Sequence, residues 1–430
     1  MARLVVRGGR LVSPEDGLDA DLDILIEDGI VRAIGPHLSA PVDETVEAQG
    51  QIVSPGFVDL HVHLREPGGE ISETLETGLA AAVAGGFTSV CPMPNTQPVN
   101  DSPVATRTLI EKAERIGLAR VFPIAAVSPG SQGEMLADLR ALQDAGAVAF
   151  SDDGRPVKTA ALMRRALEAA RVLGVPVIDH CEDPSLSAGG AINEGPAAER
   201  LGLKGIPNSS EDVCVARDLV LAEATGGHIH IAHLSTAGAV ELVRSAKRRG
   251  VRVSCEVTPH HFTLSDEAAA RYGTHAKMNP PLRSARDVEA VQVGLADGTI
   301  DAIATDHAPH APELKRRPLS EAPFGVIGLE TALPLALMKL VHTGRVSLHR
   351  LISLLTSSPA SIIRRAATAQ LGRLQVGSAA DITVFDLRCE WTYEASRGRS
   401  KSRNSPFEGW ELRGAVTATI VGGKVVYRRA

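Results

Sequence analysis

The sequence predicts a (β/α)8 barrel that carries a small β domain built from both ends of the chain. Short apolar runs bounded by turns recur eight times between residues 55 and 366, and each is followed by a stretch of helical periodicity. The two terminal segments instead alternate apolar and polar residues in short pieces interrupted by Gly, Asp and Pro. Polar side chains of metal-binding types follow several of the apolar runs, as the strand ends of a barrel enzyme require.

The predicted domain boundaries follow these changes in pattern. Residues 55–366 form the metal-dependent barrel, and residues 1–54 and 367–430 form the two parts of a β-sandwich. Strands at both ends, with a different pattern between them, indicate that the termini pair with each other. In the second part, the polar stretch 396–404 is predicted to be an exposed loop without a charged partner.

The predicted barrel strands share an apolar run and a polar end, and they cover residues 57–64, 88–93, 120–126, 147–151, 176–180, 228–234, 252–257 and 299–304. The predicted helices that follow them cover residues 73–84, 104–116, 134–145, 159–173, 211–225, 237–249 and 285–295, and a last helical region covers 328–365. In such a barrel the functional residues gather at the C-terminal ends of the strands.

Composition excludes several classes of partner. The 430 residues carry a net charge of −6, and only 3% are aromatic, so neither a basic face nor a stacking platform for nucleic acid is expected. No apolar run is long enough for a membrane span, and the N-terminus enters a strand pattern directly. The five cysteines are odd in number and lack any Cys-x-x-Cys pair, which favours a reducing compartment and therefore the cytoplasm.

The first barrel strand carries the strongest chemical signal. Side chains alternate between the two faces of a strand, so His61, His63 and Arg65 share one face, while Val62 and Leu64 share the other. Two neutral imidazoles at this spacing can bind one metal ion without backbone strain. The strand therefore predicts two ligands of a metal site, His61 and His63.

The remaining ligands are expected at the ends of other strands. Asp153 follows the fourth strand, His180 and His233 end the fifth and sixth, and Asp306 follows the eighth. Four imidazoles and two carboxylates without a thiolate suit zinc or a related divalent ion, and six ligands favour two metals per chain. Asp153 is the candidate for the bridging carboxylate, although spacing alone does not separate it from Asp152.

Several histidines are interpreted as structural. His228 and His230 lie on the opposite strand face from His233, and Ile229 and Ile231 are expected to fill the barrel in their place. The pair at positions 260 and 261 is interpreted as structural or as part of a loop.

At this point the residues resemble a known family. The chain is similar to type I dihydroorotases of the amidohydrolase superfamily from about residue 50 to 330 and on into the last β segments. The motifs that carry the resemblance are Asp59-Leu60-His61-Val62-His63-Leu64-Arg65-Glu66-Pro67-Gly68, Met93-Pro94-Asn95-Thr96, Ser151-Asp152-Asp153-Gly154, Asp179-His180-Cys181-Glu182, Met278-Asn279-Pro280-Pro281-Leu282-Arg283 and Asp306-His307-Ala308-Pro309-His310. His-x-His alone would indicate only the superfamily, whereas the Arg-Glu-Pro-Gly extension and the Asp-Asp-Gly are much more specific.

The resemblance implies reversible conversion of N-carbamoyl-L-aspartate to L-dihydroorotate and water, a step of de novo pyrimidine synthesis. It implies two zinc ions, a metal-bound hydroxide as nucleophile, and Asp306 as both ligand and proton shuttle. The substrate-binding residues that it implies are His63, Arg65, Asn95, Asn279, His310, Phe324 and Gly325. Arg65 offers a planar fork of donors to the substrate carboxylate.

Two alternatives remain beside this interpretation. Dihydropyrimidinases, hydantoinases and allantoinases are also similar, but in them a carbamylated lysine at the end of the fourth strand bridges the metals, whereas the nearest lysine here, Lys158, is expected to be solvated. Some dihydroorotase-like proteins have lost metal ligands and only scaffold an aspartate transcarbamoylase. The expected partners are a small-molecule substrate and, as assemblies that the sequence leaves open, a homodimer and a complex with aspartate transcarbamoylase.

Overall fold

The computed structural model describes residues 3–429, so Met1, Ala2 and Ala430, the ends of the predicted terminal segments, lie outside the described residues. The strands in chain order are β1 (Arg3–Ser13), β2 (Leu18–Glu27), β3 (Ile30–Gly35), β4 (Glu44–Glu47), β5 (Ile52–Pro55), β6 (Phe57–Val62), β7 (Phe87–Pro92), β8 (Arg120–Val121), β9 (Ile124–Ala125), β10 (Ala149–Phe150), β11 (Val177–Asp179), β12 (Ile192–Asn193), β13 (Gly205–Ile206), β14 (Ile229–Ile231), β15 (Val253–Val257), β16 (Ala302–Ile303), β17 (Ile382–Thr392), β18 (Glu411–Val421) and β19 (Lys424–Arg428).

The α-helices alternate with the central strands and are α1 (Leu75–Ala84), α2 (Pro103–Ile116), α3 (Leu139–Asp144), α4 (Ala160–Leu173), α5 (Pro184–Ser187), α6 (Pro196–Leu201), α7 (Ser209–Thr225), α8 (Ala237–Arg248), α9 (Ala268–Tyr272), α10 (Ala285–Asp297), α11 (Pro312–Lys315), α12 (Ala332–Ala336), α13 (Leu348–Leu355) and α14 (Ser357–Ile362). A π-helical turn at Leu337–Val341 continues α12. No helix among the described residues combines the length and the apolar character that crossing a bilayer requires.

The barrel is formed by two runs of parallel strands. One run has the order β6-β7-β8 and the other β9-β10-β11-β14-β15-β16. A parallel bridge between Val62 and His307 joins the end of the last strand to the first. The third strand is divided into β8 and β9, because Pro123 lies between them and has no N–H to donate to a ladder. The (β/α)8 prediction is confirmed.

The sheet outside the barrel combines both ends of the chain, as predicted. Its strands follow the order β19-β18-β17-β5-β1-β2-β3, and β4 pairs with β1. The joint is antiparallel, with Val384 of β17 opposite Val53 of β5. Apolar side chains from both ends form one buried cluster, including Val6, Ile24 and Ile420. The boundaries at 54/55 and 366/367 and the sandwich description stay predictions.

Two helical predictions were too long. The third helix begins at Leu139 rather than at residue 134, because the Asp138 side chain accepts the N–H of Ala141 and caps the helix there. The last helical region is several short pieces, and the Ser347 side chain caps a new start at α13. Helix caps and turns therefore set the ends of these helices, whereas apolar periodicity alone had predicted longer, continuous helices.

The interpretation of 396–404 as an exposed loop is wrong for its second half. Ser400, Ser402 and Asn404 are buried. Glu73, which is also buried, accepts hydrogen bonds from the Ser400 hydroxyl and from the N–H of Lys401, at 2.8 Å in the latter case. Polar composition misled here because the segment fills its hydrogen bonds with buried barrel groups instead of water. The C-terminal part of the chain thereby reaches the end of the barrel where the strands finish.

Candidate active site

The two histidines of the first strand converge with Asp306, as their shared face predicts. Nε2 of His63 lies 3.0 Å from Oδ1 of Asp306, and Nε2 of His61 lies 3.6 Å from the same oxygen. Val62 and Leu64, on the other face, pack in the core cluster that includes Leu75 of α1. The end of β6 and the segment after β16 thus form one side of the site.

Asp153 lies between this side and a second pair of histidines. Its Oδ1 is 3.5 Å from Nε2 of His61, 3.6 Å from Nδ1 of His180 and 3.7 Å from Nε2 of His233. Its other oxygen is 3.6 Å from Nε2 of His63. The structure therefore brings all six predicted ligands together around one carboxylate.

The neighbouring Asp152 points elsewhere. Its Oδ1 accepts the N–H of Ser128 at 3.0 Å, and its Oδ2 accepts the Ser128 hydroxyl at 2.6 Å. Of the two adjacent carboxylates, which spacing could not separate, only that of Asp153 faces the imidazoles.

The donor set fits a divalent metal. Among the described residues, buried Nε2 of His61, Oδ1 of Asp153 and Nδ1 of His233 have no hydrogen-bond partner. Leaving buried polar atoms without a partner is costly unless a ligand contacts them. The ligand atoms of His61, Asp153 and His233 all lie within 4.8 Å of one another, and so do those of His61, His63 and Asp306. Imidazole nitrogens and carboxylate oxygens are the ligands that zinc takes in hydrolytic sites.

Electrostatics also favour a cation here. Burial alone would raise the pKa of Asp153, but His61, His180 and His233 lie beside the carboxyl and hold its pKa well below the usual value. The pKa of Asp306 is likewise lowered against the effect of burial, chiefly by His63 and His61. Both carboxylates are therefore ionised in a buried site, and such charges require positive partners.

The backbone turns sharply where the strands end. His233 and Asp306 have φ angles of 31° and 46°, in the left-handed region that residues other than glycine seldom adopt. The change of direction at His233 brings its ring into the site although it follows β14 with the wrong parity. Strained conformations of this kind are typical of functional sites.

The interpretation of His230 as an outward-facing residue is wrong. Ile229 and Ile231 belong to the core cluster that includes the helix residue Val215, whereas His230 is fully buried with Nε2 3.2 Å from Oε2 of Glu256. The left-handed backbone at His233 breaks the alternation of side chains along the strand. The direction of the His233 side chain therefore does not indicate which face His230 occupies.

Sequence reasoning missed the carboxylate that supports His61. Glu256 in β15 is fully buried, and its Oε1 accepts Nδ1–H of His61 at 2.8 Å. Asn95 supports His63 in the same way, with Oδ1 3.0 Å from Nδ1. These contacts orient the two rings with Nε2 toward the site. The available signal was an ionisable residue inside a predicted barrel strand.

The predicted substrate residues lie on both sides of the six ligands. Nε of Arg65 donates to the Pro309 carbonyl at 3.1 Å, and its Nη2 is 3.3 Å from Nε2 of His310. On the other side, Nδ2 of Asn279 donates to Glu182 at 2.6 Å and lies 3.1 Å from Nε2 of His180. Burial lowers the pKa of Arg65 to about 10, so the guanidinium stays charged at neutral pH.

The backbone groups at Phe324 and Gly325 have protein partners. The Phe324 carbonyl accepts Nε2–H of His310 at 2.7 Å, and the Gly325 N–H donates to the Lys277 carbonyl at 2.9 Å. The Gly325 carbonyl accepts from Lys315 at 2.9 Å and from Asn404 at 3.1 Å. The role of this segment in substrate binding stays a prediction, and these hydrogen bonds fix its backbone.

With this geometry described, comparison with known proteins shows what the chain resembles. Residues 50–239 match the Dihydro-orotase-like family model. The dihydroorotase of Geobacter sp. (strain M21) is 52% identical over 426 residues, which cover 99% of each chain. The chain belongs to the dihydroorotase family. A second member, from Geobacter metallireducens, is 51% identical over 427 residues, which cover 99% of this chain and 100% of the relative.

Solved structures place this dihydroorotase family member among hydantoinase folds. L-hydantoinase (dihydropyrimidinase) from Arthrobacter aurescens is 29% identical with a TM-score of 0.89, covering 100% of this chain and 97% of the other. Dihydropyrimidinase from Brevibacillus agri NCHU1002 is 25% identical with a TM-score of 0.84, covering 99% and 95%. In the dihydroorotase family member described here, Asp153 occupies the centre of the ligand cluster, and Lys158 is exposed.

Proposed function

We propose that the chain is a zinc-dependent dihydroorotase that interconverts N-carbamoyl-L-aspartate and L-dihydroorotate plus water in pyrimidine synthesis. The observation that carries the proposal is the position of Asp153, whose Oδ1 lies within 3.7 Å of imidazole nitrogens of His61, His180 and His233. A carboxylate so placed suits a bridge between two cations. The full-length identity to dihydroorotases supports the choice of substrate.

His61, His63, Asp153, His180, His233 and Asp306 would hold two zinc ions. Zinc supplies Lewis-acid polarisation of a carbonyl and makes water more acidic. The protein contributes the orientation of the ligands, because Glu256 and Asn95 fix the rings of the first strand.

Asp306 is the proposed proton carrier. In the hydrolytic direction, a water oxygen adds to the ring amide carbonyl, its proton passes to Asp306, and the carbon–nitrogen bond breaks as Asp306 returns the proton to the leaving nitrogen. In the cyclising direction the same atoms move in reverse, and water leaves. The lowered pKa of Asp306 keeps the carboxylate ionised at neutral pH, which is the form that a proton acceptor must have.

Arg65, Asn95 and His310 are proposed to hold the substrate carboxylate. The guanidinium gives a two-point contact with a carboxylate, which a ring substrate without that group cannot use. Asn279 and the segment at Phe324 and Gly325 are proposed to contact the amide edges of the ring. His63, one of the six proposed metal ligands, is also proposed to contact the substrate. These contacts distinguish the proposal from a dihydropyrimidinase, which takes a ring without the carboxylate.

Unpaired cysteines support a cytoplasmic enzyme, since all five are free thiols. A homodimer and a complex with aspartate transcarbamoylase are the proposed assemblies. The assay of the purified chain alone decides whether aspartate transcarbamoylase is needed for activity.

The test measures zinc per chain and the rates in both directions across pH, with dihydroorotate, dihydrouracil and hydantoin as parallel substrates. We expect about two zinc ions per chain, hydrolysis favoured in alkali, cyclisation favoured in acid, and poor turnover of the two rings without a carboxylate. Asp306→Ala should stay folded by circular dichroism and lose both rates. Equal turnover of dihydrouracil would support the dihydropyrimidinase alternative. No rate without an added aspartate transcarbamoylase would support the scaffold alternative.

A further inference from the structure

A buried lysine contacts the two segments that are proposed to border the substrate pocket. It has no role in the mechanism above. Lys315, the last residue of α11, is 3% exposed. Its Nζ donates to three backbone carbonyls, those of Gly325 at 2.9 Å, Pro323 at 3.0 Å and Lys277 at 3.3 Å. In the protonated form, three protons match these three acceptors, which is the condition for burying such a charge. Burial, with the nearby charge of Lys277, lowers the pKa of Lys315 to about 7.

The three carbonyls belong to the two segments that border the pocket. Lys277 is two residues before Asn279, and Pro323 and Gly325 flank Phe324. The Gly325 N–H also donates to the Lys277 carbonyl at 2.9 Å. Lys315 therefore holds the loop after β15 against the loop after β16.

From Phe324 the contacts lead to the proposed carboxylate site. The Phe324 carbonyl, between the two carbonyls that Lys315 holds, lies 2.7 Å from Nε2 of His310. The same nitrogen of His310 lies 3.3 Å from Nη2 of Arg65. A shift of Phe324 would thus move His310, whose ring lies beside the Arg65 guanidinium.

We propose that Lys315 is a positioning residue for substrate binding, which holds the Phe324 and Gly325 backbone and through it the His310 side chain, next to Arg65, in the binding geometry. The inference rests on the proposed function, since the pocket is the one that would take dihydroorotate. Burying an ammonium is costly, and an apolar side chain would fill the same space more cheaply. Unlike an apolar side chain, the ammonium fixes the direction of three backbone carbonyls in the segments that border the proposed pocket.

A second residue holds the same segment independently. Nδ2 of Asn404 donates to the carbonyls of Ala308 at 3.0 Å and Gly325 at 3.1 Å, and its Oδ1 accepts the N–H of His310 at 3.1 Å. The Gly325 carbonyl is therefore held by both Lys315 and Asn404. Two residues that act on one carbonyl should show coupled effects when both are changed.

The test compares wild type with Lys315→Met, which removes the ammonium and keeps an unbranched side chain. The matched control is Lys247→Met. Nζ of Lys247 also makes several contacts, to Asp301 and to the Gly298 carbonyl. Both partners precede β16, so these contacts lie at the opposite end of the barrel from the proposed site. For Lys315→Met we expect a KM for dihydroorotate about tenfold or more above wild type, a smaller change in kcat, and unchanged zinc per chain. Lys247→Met should keep the wild-type KM.

Hydrogen exchange at residues 324–327 provides a readout that does not depend on turnover. Exchange there should be at least several-fold faster in Lys315→Met than in wild type. Unchanged exchange, or a loss of kcat with unchanged KM, overturns the inference. A wild type that fails to hydrolyse dihydroorotate contradicts the proposed function instead, and the exchange rates then still decide whether Lys315 holds the segment.

Asn404→Ala completes a double-mutant cycle. Because both side chains hold the Gly325 carbonyl, the double variant should raise KM by clearly less than the product of the two single effects. A fully multiplicative effect contradicts the shared action. If Lys315→Met does not fold, Lys315→Gln, which keeps two amide protons, takes its place in the cycle under the same criteria.

Discussion

The carboxylate of Glu256 accepts Nδ1–H of His61 at 2.8 Å and lies 3.2 Å from Nε2 of His230. One buried side chain therefore connects a proposed zinc ligand with a histidine of the neighbouring barrel strand. A carboxylate in this position fixes the tautomer and ring orientation of the histidine and makes it a better ligand. Glu256 thereby supports the proposed metal site through His61, although its own carboxylate is not one of the proposed ligands.

This contact gives the first prediction. Glu256→Gln should lower the affinity for zinc by about 10–100-fold, because an amide cannot accept from both His61 and His230 in their present orientations. The measurement is zinc content per chain at buffered free zinc, with Glu168→Gln on the surface of α4 as control. The same zinc affinity in both variants would show that Glu256 has only a packing role.

The second prediction separates two adjacent carboxylates. Asp153→Asn should lose zinc at one position and reduce turnover by about 10²-fold or more, because a neutral amide is a poor bridge between two cations. Asp152→Asn is the matched control, since Asp152 is engaged by Ser128 and should keep both zinc ions. Metal analysis and turnover are measured on the same samples. Two tightly held zinc ions and full activity in Asp153→Asn would exclude the bridge.

How far the sequence predicted this site depends on the kind of signal. Strand alternation placed His61 and His63 together, and the barrel rule brought Asp306 and Asp153 to the same end. Alternation failed at β14, because the left-handed backbone of His233 reverses the direction of its side chain, and a non-glycine residue gives no sequence sign of such a φ angle.

Long-range polar contacts were equally hard to predict. Asn404 contacts the Ala308 carbonyl across 96 residues of sequence, in a stretch whose composition indicates an exposed loop. Composition reports the average preference for water, whereas Asn404 satisfies its donors and acceptor with backbone groups of the barrel. Lys315 is a similar case, since a single lysine in a loop is usually solvated.

The third prediction concerns the substrate carboxylate. Arg65→Lys keeps the charge but loses the planar fork, so kcat/KM for dihydroorotate should fall by about 10–100-fold. Arg155→Lys, on the exposed loop after the fourth strand, is the matched control and should change kcat/KM little. Activity equal to wild type in Arg65→Lys would mean that the carboxylate is held elsewhere.

The fourth prediction is a dependence of stability on pH at the opposite end of the barrel. His228 lies just before β14, its Nε2 is 2.8 Å from the Ser254 hydroxyl, and burial, with the nearby charges of His230, Arg252 and Lys247, lowers its pKa from 6.5 to about 3. Between these two values the unfolded chain binds a proton that the folded chain does not. The folded state therefore has its full stability above pH 6.5 and loses stability as the pH falls toward 3.

His228→Gln removes this titration and can still contact Ser254. Between pH 7 and pH 4 the free energy of unfolding of the variant should fall by about 1–3 kcal/mol less than that of wild type. Urea unfolding at a series of pH values measures this difference. Protonation of the proposed metal ligands in acid affects both proteins equally, so its contribution cancels when the two curves are subtracted. The control His37→Gln, at an exposed position, should follow the wild-type curve. Parallel curves for wild type and His228→Gln would show that His228 takes up its proton in the folded barrel near the ordinary pKa, and that burial at this position does not keep the ring neutral.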